Sequence, residues 1–181
     1  MAKEMLTIYN EEGNYIGTKS YEDVHKDGDW HRVVGLFIIN HKNEILMQRR
    51  SLKKPISPGL LTVTVGGHLW AGEDDYSCLK RESREEMGIC IDIDALKLQL
   101  LYECKDTKIT KDKIDNVFLR GYILHDDIDV SLLRYVKDEI EEFVYIHYSK
   151  LKEIFESGEK LAVNNNVMSA LFVYMDKYTN K

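Results

Sequence analysis

Apolar side chains along this chain alternate between the period of a strand and the period of a helix. Short apolar runs bounded by turn residues predict strands at 5–9, 15–17, 33–39, 45–47, 60–65, 96–104, 117–124 and 143–148. Helical spacing predicts helices at 74–87, 149–156 and 165–178. The stretch 51–59 holds both prolines and is predicted to be a loop, as is the lysine-rich stretch 105–113. The alternation indicates an α/β fold, a mixed sheet with helices on its faces.

Length and composition indicate one domain. The chain has 181 residues, which is enough to bury a hydrophobic core, and it shows no internal repeat or linker-like segment. We therefore predict a single domain over 1–181, with residues 1–31 as an N-terminal hairpin extension. The turn of that hairpin is predicted at 11–14, which contains a glycine.

Charge and cysteine content disfavour several function classes. There are 25 Lys and Arg against 31 Asp and Glu, a formal net charge of −6, which disfavours binding to nucleic-acid polymers. Three cysteines without CxxC spacing indicate free thiols in a reducing compartment. No apolar run is long enough to span a bilayer, and the first residues do not resemble a secretion signal. We expect a cytoplasmic protein without membrane contact, and a homodimer is compatible with these features.

The predicted helix at 74–87 concentrates carboxylates on one side. Glu82, Glu85 and Glu86 are spaced i, i+3, i+4 and therefore fall within an arc of about 100°. Like charges held this close repel one another unless a cation offsets them. Mg²⁺ suits such a cluster because it prefers oxygen ligands, completed by water and substrate phosphates. A solvated acidic face is the alternative for these residues.

Glycines and other charged residues surround the cluster at fixed spacing. The set consists of Gly67, Glu73, Arg81, Glu82, Glu85, Glu86 and Gly88. With these residues in place, the stretch 67–89 resembles the complete box of the Nudix family, and Ser83 is its one departure. The resemblance implies the Nudix fold, an α/β/α sandwich with a mixed sheet in which a loop-helix-loop carries the box. It also implies hydrolysis of a diphosphate linked to some other group X, with Mg²⁺ as the cofactor and Mn²⁺ as its substitute.

The resemblance further implies roles for the three helix acids. Glu82, Glu85 and Glu86 would be metal ligands, and Glu82 and Glu85 would take part in catalysis. Glu82 is either a further ligand or the base that deprotonates the attacking water. Glu139, Glu141 and Glu142 precede the last predicted strand, and one of these acids outside the box is the alternative that completes the metal shell or orients the water. The metal would acidify bound water and neutralise charge on the phosphoryl oxygens.

The remaining box residues are expected to be structural. By the same resemblance, Glu73 and Arg81 would hold the loop and the helix in place. Arg81 also stands four residues before Glu85, which favours an ion pair over a catalytic role. Gly67 and Gly88 would allow tight turns of the backbone at the two ends of the helix.

A longer resemblance relates the chain to the Nudix branch that includes isopentenyl-diphosphate isomerase. It rests on VHKDGDWHR (24–32), LMQRRSLKKPISPG (46–59) and VGGHLWAGE (65–73). In that isomerase a cysteine before the Gly-His pair and a downstream glutamate move protons. Here Gly66 and Val117 occupy those positions, so no acid/base pair is evident. The chain is therefore predicted to be a hydrolase on an isomerase-like scaffold, with the isomerase as the alternative.

His25, His31 and His68 match histidines that form a metal site in the isomerases. In this chain the carboxylate partners of that site look incomplete. Three histidines can still bind a transition metal, and hydrogen-bonded imidazoles without a metal are the alternative.

Cationic residues before the box are candidates for binding substrate phosphates. Arg49 and Arg50 end a predicted strand, and Lys53 and Lys54 follow in a loop. Arginine forks and lysine ammonium groups both suit phosphate oxygens, and a solvated basic loop is the alternative.

The sequence thus predicts a Mg²⁺-dependent Nudix hydrolase that cleaves a small-molecule diphosphate, a nucleoside diphosphate derivative above all. A sensor that binds a nucleotide without consuming it is a third hypothesis. The intact box carboxylates favour the enzyme.

Overall fold

The computed structural model describes residues 4–91, 97–111 and 113–179. Strands within these residues are β1 (Met5–Tyr9), β2 (Tyr15–Ser20), β3 (Trp30–Ile39), β4 (Glu44–Arg50), β5 (Leu61–Thr62), β6 (Val65–His68), β7 (Gln99–Ile109), β8 (Ile114–His125) and β9 (Ile140–His147). Helices are α1 (Tyr21–Asp27), α2 (Asp75–Met87), α3 (Tyr148–Glu156) and α4 (Asn165–Thr179), with a short 3-10 helix at Val130–Leu132. No helix in this part of the chain is long and apolar enough to cross a membrane.

The strand β3 organises the sheet because other strands pair along both of its edges. On one edge it runs parallel to β8 over its whole length, from Trp30 beside Asn116 to Ile39 beside His125. On the other edge it pairs antiparallel with β6 and with the start of β4. β9 continues the sheet beyond β4, and β7 forms a long hairpin with β8. The sheet is mixed, as predicted.

Helices cover both faces of β3, which explains its nearly continuous apolar run. Val34, Leu36 and Ile38 belong to the core beneath α2. Phe37 and Ile39 belong to the core beneath α3 and α4. One helical layer on each face of a mixed sheet is the predicted α/β/α sandwich, which is confirmed.

The N-terminal extension contains a helix as well as the predicted hairpin. Ser20 caps α1 by accepting a hydrogen bond from the backbone N–H of Asp23, and Gly28 ends the helix with φ at 74°. Seven residues are too few for helical spacing to reveal, so the sequence reasoning missed α1. The helix buries Val24 and His25.

The predicted strand 60–65 is divided in two. The backbone N–H of Ile38 donates to the hydroxyl of Thr64, and that hydroxyl donates to the carbonyl of Leu46. Thr64 therefore separates β5 from β6, and β6 continues through both glycines to His68. The Thr64 hydroxyl takes the place of backbone hydrogen bonds between strands. The pattern of apolar residues in the sequence cannot predict this substitution.

The lysine-rich stretch predicted as a loop is mostly strand. β7 and β8 stay paired as far as Ile109 and Ile114, with Lys108 opposite Asp115. An exposed two-stranded ribbon needs no apolar alternation, so its sequence resembles a loop. The predicted start of this strand, Leu96, lies outside the described residues.

Candidate active site

The helix α2 agrees with its prediction to within one residue, and capping residues set both of its ends. The side chain of Asp74 accepts a hydrogen bond from the N–H of Ser77 at 2.8 Å. Gly88 ends the helix with φ at 70°. Its buried residues are Asp75, Cys78, Leu79, Ser83 and Met87. This face anchors the helix on the sheet and so fixes the direction of the box acids.

Arg81 ties α2 to the loop before it. Its Nε and Nη2 donate to the two carboxylate oxygens of Glu73 at 2.8 and 3.0 Å. Nη2 also donates to the carbonyl of His68 at 2.9 Å. The guanidinium carbon lies 4.1 Å from the centroid of the Trp70 ring. These contacts account for most of the guanidinium's donors, as a positioning role requires.

Arg81 also holds two of the three box glutamates. Its Nη1 donates to Glu82 at 2.7 Å and to Glu85 at 3.2 Å. The side chain of Glu82 is 13% exposed, whereas that of Glu85 is 50% exposed. Burial raises the pKa of Glu82 to about 7, even though Arg81 acts in the opposite direction. Glu82 is therefore the buried member of this pair.

Gly67 makes room for Glu82 and does not turn the chain. It lies inside β6, opposite Val34, and its φ is not positive. A Cβ at this position would overlap the Glu82 carboxylate. The prediction that Gly67 allows a tight turn at a helix end is wrong, because the glycine is needed for space. Gly88 does adopt a left-handed conformation at the end of α2.

Glu86 is buried against the glycines of β6. Its carboxylate accepts a hydrogen bond from the N–H of Gly66 at 3.2 Å and another from the side chain of Gln48. Burial, reinforced by the nearby charge of Glu82, raises the pKa of Glu86 to about 8. The buried carboxyl groups of Glu82 and Glu86 lie near each other and provide oxygen ligands. A hard divalent cation would stabilise their negative charge. This part of the site fits Mg²⁺ by its chemistry.

A cavity of about 570 Å³ lies beside Glu86, a size typical of small-molecule sites. Its charged lining residues are Arg50, Glu86, Asp106, Lys108, Asp115 and Arg120. Its aliphatic wall includes Val33, Val63, Val117, Leu119, Val163 and Val167. Gly35 and Gly121 also line it, and they face each other in the β3–β8 register. The cavity therefore combines an apolar wall with charged residues that come from β4, β7, β8 and α2.

Of the four predicted phosphate-binding residues, only Arg50 lines this cavity. The others form ion pairs, Arg49 with Glu142 at 2.7 Å, Lys53 with Asp138 at 2.6 Å, and Lys54 with Glu139. Arg49, Lys53 and Lys54 thus pair with acids and do not line this cavity, and their role in phosphate binding stays a prediction. The reason is long-range pairing, since β9 lies against β4 and brings an acidic segment to the basic one.

The three predicted histidines converge, and a carboxylate completes the group. His25 lies on α1, His31 on β3, His68 on β6 and Asp115 on β8. Their donor atoms all lie within 4.8 Å of one another, and no other such group occurs in the part of the chain that the structure describes. The expectation that the carboxylate partners are incomplete needs correction, because Asp115 provides one. The box glutamates do not form a comparably close group.

The imidazoles of this cluster are arranged as metal ligands are. The carbonyls of Tyr21 and Asp29 lie 2.7 and 3.0 Å from Nδ1 of His25 and His31. Since a carbonyl only accepts, both Nδ1 atoms carry a proton, and the two Nε2 atoms face the Asp115 carboxylate at 3.6 and 3.3 Å. Buried Nε2 atoms of His31 and His68 and Oδ1 of Asp115 make no hydrogen bond within the described residues.

Burial favours the neutral, metal-binding form of the His25 and His68 imidazoles. Burial lowers the pKa of His25, and burial together with neighbouring His31 lowers the pKa of His68 to about 3. Buried polar atoms without a hydrogen-bond partner lower the stability of the fold unless a ligand binds them. The cluster therefore fits a divalent transition metal with mixed nitrogen and oxygen ligands.

A family model described as the NUDIX domain matches residues 29–165, well over half of the chain. The chain belongs to the Nudix family. The prediction of a Nudix hydrolase is thus confirmed at the level of the family, and the loop-helix-loop around α2 is its Nudix box.

The Nudix relatives include both hydrolases and isomerases. Nudix hydrolase 3 of Arabidopsis thaliana is 29% identical over 173 residues, which are 92% of this chain but only 22% of that protein. An uncharacterized Nudix hydrolase of Clostridium acetobutylicum is 27% identical, over 87% of this chain and 76% of its own length. Isopentenyl-diphosphate Delta-isomerase 2 of Photorhabdus laumondii is 24% identical, over 86% of this chain and 84% of its own length.

Solved structures show the same fold. DR0079 of Deinococcus radiodurans has a TM-score of 0.68 at 24% identity and covers 96% of this chain and 98% of its own. A MutT protein of Methanosarcina mazei has a TM-score of 0.61 at 18% identity and covers 84% and 96%. At these identities the likeness shows the Nudix fold alone.

The two isomerase positions lie at the cavity of this Nudix protein without acid/base groups. Gly66 lines the cavity, and a Cβ there would lie 3.0 Å from the carbonyl oxygen of Val34. Val117 adds only an aliphatic surface. The cysteines provide no substitute, since Cys78 is buried beneath the box and neither Cys90 nor Cys104 lines the cavity.

Sequence reasoning missed three residues of the site, namely Gln48, Lys108 and Asp115. Asp115 stands two residues before Val117 and could have been found by asking which acid remains in that segment. Gln48 and Lys108 carry no local signal, because only the pairing of distant strands brings them to the cavity.

Proposed function

We propose that this protein is a Mg²⁺-dependent hydrolase that cleaves the diphosphate linkage of a small molecule. The observation that carries the proposal is the position of Glu86, a buried box acid on the wall of a cavity that is also lined by Arg50, a cation with no ion pair within the described residues. Membership of the Nudix family supports the same reaction class. A nucleoside diphosphate derivative is the substrate first expected, and the aliphatic wall requires that its group X present an apolar surface.

Glu86, Glu82 and Glu85 are the residues proposed to hold Mg²⁺. When bound, the ion would acidify water and neutralise charge on the phosphoryl oxygens. Glu82 is proposed as the proton acceptor, because a pKa of about 7 suits a general base near neutral pH. Of the three acids outside the box, Glu139 and Glu142 pair with Lys54 and Arg49, and none of the three lines the cavity.

The test is a panel of nucleoside diphosphate derivatives and alkyl diphosphates with Mg²⁺, scored for phosphate, pyrophosphate and nucleotide. Glu86→Gln should lower turnover at least about 100-fold on every substrate that the wild type uses, because a metal ligand is lost. Glu12→Gln, an exposed turn residue, is the matched control and should be unchanged. Wild-type turnover in Glu86→Gln would overturn the metal assignment, and binding without turnover by the wild type would favour the sensor.

We also propose that His25, His31, His68 and Asp115 hold a divalent transition metal. The support is that Nε2 of His31, Nε2 of His68 and Oδ1 of Asp115 are buried close together and make no hydrogen bond within the described residues. Metal content of protein dialysed after loading with Mn²⁺ or Zn²⁺ tests the site directly. Asp115→Asn and His31→Ala should each lose about one equivalent, whereas His147→Ala, an exposed histidine elsewhere, should lose none. Equal metal content in all variants would exclude this site.

An isomerase is the second candidate function. The observation that favours it is that the His/Asp cluster borders the same cavity as the Nudix box. The absence of a proton donor at Gly66 and of an acid at Val117 argues against allylic proton transfer. Incubation with isopentenyl diphosphate decides, because an isomerase forms the allylic isomer without releasing phosphate. A homodimer and a cytoplasmic location stay predictions.

A further inference from the structure

The cations around the candidate site fall into two groups. Five of them have acidic partners, namely Arg49, Lys53, Lys54, Arg81 and Arg120. Two of them, Arg50 and Lys108, line the cavity and form no ion pair within the described residues. Arg50 donates through Nε to the carbonyl of Ile56 at 3.1 Å, which leaves its other guanidinium nitrogens unused by acids.

Arg50 and Lys108 approach the cavity from opposite sides of β3. Ile38 and Ile39 of β3 pair with β4 on one edge and with β8 on the other. Arg50 ends β4, and Lys108 lies on β7, which is the far partner of β8. A ligand in the cavity would therefore lie between an arginine on one side and a lysine on the other.

The acids nearest to Lys108 form no ion pair with it within the described residues. Asp115 is its cross-strand neighbour, but the Asp115 carboxylate is turned toward His25 and His31 at 3.6 and 3.3 Å. Asp106 shares the strand face of Lys108 and accepts a hydrogen bond from Asn164 at 2.9 Å. Lys108 is thus an exposed cation at the cavity wall that neither neighbouring acid pairs with.

We propose that Lys108 binds a phosphoryl oxygen of the substrate across the cavity from Arg50. The proposal rests on the proposed function, because it assigns the second cation that grips the diphosphate. A lysine on an exposed strand provides a movable point charge, and its hydrogen bonds to phosphate are charge-assisted.

Binding of magnesium pyrophosphate, measured by calorimetry, tests Lys108 without relying on turnover. Lys108→Ala should weaken affinity on the order of tenfold, as expected for one charge-assisted hydrogen bond. Lys108→Arg should restore most of it. Lys105→Ala is the matched control, because Lys105 is on the same strand but its Nζ lies 5.3 Å from the Trp30 ring, and the residue does not line the cavity. Affinity there should change less than about twofold.

Kinetics provide a second readout of the same proposal. With a hydrolysed substrate, Lys108→Ala should raise KM on the order of tenfold and leave kcat nearly unchanged, since the residue grips the substrate and takes no part in proton transfer. Lys108→Ala that binds and turns over like Lys105→Ala would overturn the inference, as would a wild type that does not bind pyrophosphate. Lysine-dependent pyrophosphate binding without any hydrolysis would leave the inference standing and refute the proposed function.

Discussion

The carboxylate of Glu82 occupies the space that a side chain at Gly67 would need. The same carboxylate is held by Arg81, and Arg81 is held in turn by Glu73. At the residue scale the box is thus a chain of contacts in which each member fixes the next. Gly67 is needed in this series of contacts because a larger residue would overlap Glu82. The sequence pattern alone does not reveal that steric requirement.

Gly67→Ala should lower hydrolysis on the order of 10- to 100-fold while the protein stays folded. The added methyl group displaces the Glu82 carboxylate, but a strand position without positive φ accepts alanine. Rates of Gly67→Ala, Glu82→Gln and the double variant check the cause. If the effect acts through Glu82, the double variant is scarcely slower than Glu82→Gln, and additive losses would refute this explanation.

Glu73→Gln should cost about 1–3 kcal/mol of unfolding free energy at pH 7. Burial disfavours the charged form of Glu73, but the hydrogen bonds from Arg81 outweigh it, so the pKa lies below its usual value. The stabilisation is therefore complete above the unfolded pKa of about 4.5 and is lost as the pH falls through the lower folded value. Urea unfolding from pH 7 down to about pH 3 should show a constant difference from wild type above about pH 5 and a shrinking difference below it.

The control for this pair is Glu153→Gln. Glu153 pairs with Lys150 at 3.0 Å, but both side chains are 66% exposed, so its loss should change stability by less than about 0.5 kcal/mol. A pH-independent cost of Glu73→Gln would mean that packing, and not charge, explains the contact.

At the scale of elements, the end of α2 is fixed by two neighbouring contacts. Gly88 has a φ of 70°, and a Cβ there would overlap the carbonyl oxygen of Arg134. The N–H of Arg134 donates to the carbonyl of Met87 at 2.8 Å. The segment after the 3-10 helix therefore packs directly against the last turn of the box helix.

Gly88→Ala should destabilise the protein by about 2–4 kcal/mol, because left-handed strain and a backbone clash act together. Gly158→Ala is the matched control, since its φ is 82° but an added Cβ meets nothing within 4 Å. That variant should lose only about 1 kcal/mol from strain. Urea unfolding measures both, and equal losses would show that the contact with Arg134 is not tight.

At the scale of the molecule, the His/Asp cluster joins segments that are far apart in sequence. One helix and three strands each contribute one side chain, and two of these residues, His68 and Asp115, line the same cavity as Glu86. A metal bound there would cross-link the N-terminal helix to the sheet, so its binding energy would add to folding stability.

Removal of metal by a chelator should therefore lower the Tm of the wild type by at least about 4 °C. His25→Ala should begin at a lower Tm and respond little to the chelator. Thermal unfolding in Mg²⁺ buffer, with and without a transition-metal chelator, makes the comparison. A wild type that is insensitive to the chelator would refute a metal at this cluster.

Much of the fold could be predicted where one periodicity dominates. The buried run of β3 and the capped, amphipathic α2 were predicted to within a few residues. The short helix α1, the break at Thr64 and the exposed ribbon of β7 and β8 were not, because hydrogen bonds, caps and strand pairing set them without a periodic apolar signal.

The sequence by itself determined the family, the order of most elements and the set of box residues, because these depend on local spacing along the chain. Only the tertiary structure decided which charges meet. It paired Arg49, Lys53 and Lys54 with acids, brought Lys108 to the cavity and added Asp115 to the histidines. The physical reason is that strand pairing over dozens of residues selects neighbours, and no local pattern in the sequence encodes that choice.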